Sequence, residues 1–68
     1  MKQVSGRELV ELLRRRGWSV DRIRGSHYVM VKPGRTEIIT VPVHKNMPLK
    51  PGLLSAILRV AGIDKAEC

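Results

Sequence analysis

Apolar positions recur along this chain first at helical spacing, then near strand spacing, then at helical spacing again. In "VSGRELVELLRRRG" (4–17), Leu9, Leu12 and Leu13, with Val10 beside them, form a stripe that predicts an amphipathic helix. Ser5 and Glu8 make a capping-box pattern at its start, and Val4 is placed to pack on Leu9 as a hydrophobic staple. Arg14, Arg15 and Arg16 crowd the last turn, where the helix dipole favours cations, and Gly17 suits the residue just beyond the end. The period then shortens toward two, predicting β segments near 18–24, 27–32 and 37–41, separated by Gly25-Ser26 and by "PGRT". Pro42 cannot donate a ladder hydrogen bond and is expected to stop the third strand. After the loop "VHKNMPLK", the stretch "PGLLSAILRVAG" (51–62) returns to helical spacing through Leu53, Leu54, Ile57, Leu58 and Ala61. Pro51 stands near its first turn and Gly62 past its end.

The expected architecture is therefore α+β, a small αβββα domain spanning 1–68, with an antiparallel meander covered on one face by two helices and open on the other. Alternation puts His27, Val29 and Val31 on one face of the second strand and Tyr28, Met30 and Lys32 on the other. If the valine face is the packed one, His27 lies at the rim of the core.

Composition narrows the function. A chain of 68 residues buries only about 60% of its unfolded surface, too little to house a large enclosed active site. Its aromatics are Trp18 and Tyr28, with no Phe, so aliphatic side chains must fill the core and an aromatic platform for stacking bases is not expected. Thirteen Lys and Arg against six Asp and Glu give a net charge of +7, which favours a polyanionic partner, nucleic acid first. Residues 1–35 carry +6 of it (nine basic, three acidic) and residues 36–68 only +1 (four basic, three acidic), which suggests a basic face. Cys68 is the lone cysteine, so neither an internal disulfide nor a cysteine zinc cluster is expected. No apolar run approaches the roughly 20 residues that span a bilayer, and no signal-peptide pattern opens the chain, so a cytoplasmic location without membrane association is expected.

The motifs "RRGW" (15–18), "GSHYVM" (25–30), "VPVH" (41–44) and "LKPGLLSAILRVAGI" (49–63) follow one another over nearly the whole chain. In that order and spacing the sequence resembles the HicA-type toxins of bacterial and archaeal toxin–antitoxin pairs, small mRNA-cleaving endoribonucleases. The resemblance implies a fold similar to double-stranded-RNA-binding domains, a single essential histidine in the Gly-Ser-His motif that serves as general acid or base, and neutralisation by a HicB-type antitoxin. The family's histidine corresponds here to His27. Tyr28 stands where the family often has a second histidine, and Met30 where it often has Phe. These departures leave the acid or base in place and bear on target preference.

RNA carries its own nucleophile, the 2′-hydroxyl, so cleavage needs a proton acceptor or donor near neutrality and a cation near the phosphate. No cofactor or metal is required. His27 suits the first role, because imidazole titrates near pH 6.5 when unperturbed. Arg22, Arg24, Lys32 and Arg35 are the candidate phosphate contacts, unranked among themselves. Gly25 and Ser26 are expected to form a tight turn that glycine permits through positive φ, with Ser26 also able to touch a phosphate. His44 has two readings: a loop residue that hydrogen-bonds locally, or a second histidine that shares the acid and base work. The histidine spacing fits no metal motif, and Trp18 is expected in the core. A second function class stays open beside the enzyme: a non-catalytic module that holds structured RNA by its phosphates and 2′-hydroxyls, with His27 as one contact among several.

Overall fold

In the computed structural model, which describes residues 3–68, the chain runs α1 (Gly6–Arg15), β1 (Ser19–Arg24), β2 (His27–Val31), β3 (Ile39–Pro42) and α2 (Pro51–Ala61), then a 3-10 turn at Lys65–Glu67. The predicted αβββα order is the observed one. Ser5 caps α1 as its sequence pattern requires: its hydroxyl accepts from the Glu8 N–H at 3.2 Å, and the Glu8 carboxylate accepts from the Ser5 N–H at 2.9 Å. Both helices close the same way. Gly17 has φ 95° and donates to Arg14 O at 3.1 Å, while Trp18 donates to Leu13 O at 3.0 Å. Gly62, at φ 72°, donates to Arg59 O at 3.2 Å and Ile63 to Leu58 O at 3.0 Å. In each of these Schellman ends the residue after the glycine is apolar and buried together with the side chain of the residue whose carbonyl accepts its N–H, Trp18 with Leu13 and Ile63 with Leu58.

The sheet is antiparallel in the order β1-β2-β3. Tyr28 pairs with Val41 and Met30 with Ile39, and these side chains, with Val20 from β1, meet the helices. Leu9, Leu12, Leu13, Leu54, Ile57 and Leu58 pack against them, so the core is aliphatic apart from Trp18. The packed face is thus the Tyr28/Met30 face. His27, Val29 and Val31 lie on the open face instead, and the reading that put His27 at the core rim is corrected. Volume explains the choice: Met30 is the larger side chain and is fully enclosed at 0% exposure. Val29, at the centre of the open face, is flanked in register by Arg22 and Thr40.

Strand boundaries also shift. The third strand begins at Ile39 rather than 37, because Glu37 is engaged by Arg35 and Ile38 points outward at 59% exposure. It includes Pro42, expected as a stop, because the last position of an edge strand can do without a donor, and Val43 resumes the ladder by donating to Ser26 O at 2.7 Å. The second strand ends at Val31, leaving Lys32 outside it. Asp21 is an extra residue in β1, where the register shifts between Val20 and Arg22.

One close approach ties α1 to the sheet. Gly6 is buried at the first turn of α1, and a Cβ there would overlap the Pro42 carbonyl oxygen and lie 3.1 Å from Val43 Cα. The loop after β3 is held to the same corner by a Leu49 N–H to Val4 O bond of 2.8 Å and a bridge between Ser5 and Pro48. At the far end, Glu67 pairs with Arg16 and so joins the C-terminal turn to the end of α1.

Candidate active site on the open sheet face

Gly25 and Ser26 form the two-residue connection between β1 and β2. Only the first has positive φ, 58°, the pattern of a type II′ hairpin, whose twist matches that of the flanking strands. The turn delivers His27 to the first position of the middle strand, exposed on the open face, with Arg24 opposite it on β1 and Pro42 opposite it on β3.

The turn also makes a second connection. Because Val43 N–H binds Ser26 C=O, the chain leaving β3 is drawn against the hairpin, and His44 comes to rest beside His27. The two rings lie edge to face, with centroids 6.3 Å apart and planes at 81°. His44 Nε2 stands 3.3 Å from the Ser26 hydroxyl, within hydrogen-bonding distance. Ser26, His27 and His44 therefore form one cluster. Beside it opens a groove of about 380 Å³ lined by Pro42, His44, Met47, Lys50 and Leu53. A cavity of similar size, about 390 Å³, lies on the outer side of α1 among Arg7, Glu11, Arg15 and Glu67, away from both histidines.

The four candidate phosphate ligands separate into two pairs. Arg24 and Arg22 share the open face with His27, since they stand in register with His27 and Val29. Arg22 is anchored by a 2.8 Å contact to Asp21, with both side chains about half exposed. Lys32 and Arg35 are at the other end of the sheet. Lys32 lies five residues beyond His27, about 16 Å along the strand direction, and its stem passes 3.2 Å from where a Gly17 Cβ would be. Arg35 donates to Val60 O at 2.6 Å and to Glu37 at 2.9 Å, and its guanidinium sits 5.6 Å from the Trp18 ring centroid. That hydrogen bond from Arg35 holds the exposed Glu37 carboxyl below the usual carboxylate range. Trp18 is 2% exposed as expected, but its indole N–H meets no acceptor among the described residues.

Gly6 has a place here that its sequence context did not announce. By abutting Pro42 and Val43 it braces the backbone one residue before His44. The only sequence signal was a small residue inside a capping box, which usually needs no such explanation.

In chemical terms the face offers two imidazoles, a hydroxyl and two guanidinium groups around one exposed spot, which can bind a phosphodiester and move protons on either side of it. No group of three His, Cys, Asp or Glu side chains gathers as a metal site, and no helix is long and apolar enough to cross a membrane, among the described residues.

The family model for the HicA toxin of bacterial toxin–antitoxin matches residues 6–63. Among solved structures, a chain of the HicA3 and HicB3 toxin–antitoxin complex superposes with a TM-score of 0.62 at 31% identity, covering 85% of this chain and 92% of that one. No curated protein matches in sequence.

Proposed function

This chain belongs to the HicA toxin family of bacterial toxin–antitoxin systems, and from that premise we propose that it is an endoribonuclease that cuts mRNA with His27 as general acid or base. The observation that carries the reading is the position of His27. It stands exposed at the start of β2, with Arg24 paired across from it on β1. Arg24 and Arg22 hold the scissile phosphate, and the Gly25-Ser26 hairpin presents backbone and hydroxyl donors at its edge. With the phosphate fixed, His27 needs only to exchange a proton with the 2′-oxygen or the leaving 5′-oxygen, a contribution of about 10²–10⁴-fold in rate. The reaction draws its nucleophile from the RNA and calls for no cofactor.

The solved neighbour is a complex with its antitoxin. We extend that arrangement to this chain: a HicB-type antitoxin covers the basic open face and keeps RNA from His27. The +7 charge favours a partner with an acidic docking surface.

The test is cleavage of an end-labelled, ribosome-free mRNA in EDTA, run with the wild type and with His27→Ala. Cutting by the wild type alone supports the reading. Equal cutting by both would remove His27 from the chemistry. RNA bound but uncut by either folded protein would leave a non-catalytic RNA-binding module.

A further inference from the structure

Cleavage through the 2′-hydroxyl involves two proton transfers at two different oxygens. One proton leaves the 2′-oxygen as it attacks phosphorus, and another must reach the 5′-oxygen as it departs from the opposite side. A single imidazole cannot face both oxygens in one in-line step.

Resting on the nuclease reading above, we propose that His44 is a second catalytic residue, taking whichever of these transfers His27 does not. The two histidines are seventeen positions apart in sequence, yet their ring centroids are 6.3 Å apart on the same exposed corner. An effective acid or base must come within about 2.6–3.2 Å of its oxygen. Two edge-to-face rings at this spacing can both reach the oxygens of one phosphodiester lying over them.

The stability gained from the pair is small, because both histidines are exposed and an edge-to-face contact of two rings adds little on its own. The devices that hold them together are more extensive than that gain warrants. They include the Val43 to Ser26 backbone bond, the Ser26 hydroxyl beside His44 Nε2, and the seat of Gly6 against Pro42. Ser26 is the positioning residue of the set. Its hydroxyl stands 3.3 Å from Nε2 and so fixes the orientation of the exposed His44 ring.

The step balances. One neutral imidazole accepts the 2′-hydroxyl proton while the 2′-oxygen to phosphorus bond forms. The bond from phosphorus to the 5′-oxygen breaks, and the second ring, as imidazolium, gives its proton to that oxygen. The products are a 2′,3′-cyclic phosphate and a 5′-hydroxyl. The charged groups around the pair are Arg22 and Arg24 from β1, with Asp21 held by Arg22, and Lys45 and Lys50 from the loop beside His44. The excess is cationic and favours binding of the phosphodiester.

The experiment is the pH dependence of kcat/KM on an RNA with one cleavage site mapped using the wild type. It is run for the wild type, His44→Ala and His44→Gln, with folding checked by circular dichroism and RNA affinity measured separately. The expected wild-type profile is bell-shaped. Both variants keep RNA affinity, lose one limb of the bell, and lose on the order of 10²-fold or more at the optimum. A second substrate carries sulfur in place of the bridging 5′-oxygen at that site, a leaving group that departs without a proton. It restores cleavage to the variant lacking the acid, either His44→Gln or His27→Ala, and not to the other. A wild-type profile with one limb, a full bell and full rate in His44→Gln, or sulfur rescue of neither variant overturns the proposal. Absence of cutting by the wild type overturns the nuclease reading itself, and His44 falls with it.

Discussion

Glycine does opposite work at two positions near the site. At Gly6 the constraint is space: an added Cβ meets the Pro42 carbonyl and the Val43 Cα, both backbone atoms that cannot turn aside. At Gly25 the constraint is conformation, since nothing lies within 4 Å of an added Cβ but φ is 58°. Gly6→Ala should therefore lower stability by about 1–3 kcal/mol, which for a domain of this size is a fall in Tm of roughly 4–8 °C per kcal/mol. Because the strain falls on the segment that carries His44, cleavage should drop beyond what the unfolded fraction accounts for. Gly25→Ala should cost about 1–2 kcal/mol, and Gly25→Asn less, since Asn tolerates positive φ. Thermal melts of the three variants decide this. Equal losses for Ala and Asn at position 25 would refute the conformational account. His27 teaches a related lesson: alternation correctly grouped it with Val29 and Val31, but two valines were not enough to identify the core face.

Elements whose ends are set by neighbouring residues were legible in advance. The Ser5/Glu8 box, the glycine-terminated helices and the Gly25-Ser26 hairpin all involve partners within about five residues, so their chemistry is written in short strings. The connection between β2 and β3 was not. There Arg35 reaches Val60, 25 residues away, while also holding Glu37 and covering Trp18. This is a structural post, and Arg35→Ala should destabilise the fold while leaving the rate of cleavage by the folded fraction nearly unchanged. Glu37 supplies a pH signature. Its carboxyl titrates below the ordinary carboxylate range when folded, so its tie to Arg35 stabilises above that range and is lost as pH falls through the lowered value. In Arg35→Ala the Glu37 titration, followed by NMR, should move up toward the ordinary value. The gap in stability between variant and wild type should narrow in acid. An unmoved Glu37 would show that the ion pair does not persist in solution.

For the molecule as a whole, the charge imbalance between the two halves of the chain becomes a geometric one. Arg22 and Arg24 stand beside His27, whereas Lys32 and Arg35 lie at the opposite end of the sheet, with Arg35 already engaged. Arg24→Gln should therefore weaken RNA binding and reduce the slope of log K against log salt by about 0.7 if one single-stranded phosphate contact is lost. Lys32→Gln should change cleavage less, since its charge lies far from the scissile bond. Filter binding across a salt series, paired with cleavage rates, tests both. A larger loss of cleavage at Lys32 than at Arg24 would mean that RNA is cut elsewhere on the surface. The antitoxin is proposed to cover the same face, and a stable complex that still cuts RNA would contradict that placement.

Periodicity, capping and turn chemistry in the chain were sufficient for the helix–three strands–helix order, for an aliphatic core containing Trp18, and for the hairpin that carries His27. They suffice because each rests on contacts local in sequence, where a few side chains decide the backbone. Folding in three dimensions decided which sheet face is covered, that His44 meets His27, that two of four basic candidates stand apart from them, and that Gly6 braces the corner. Those outcomes depend on how volumes fit between helices and sheet and on where β3 ends against the hairpin. They join residues far apart along the chain, whose meeting no local pattern encodes.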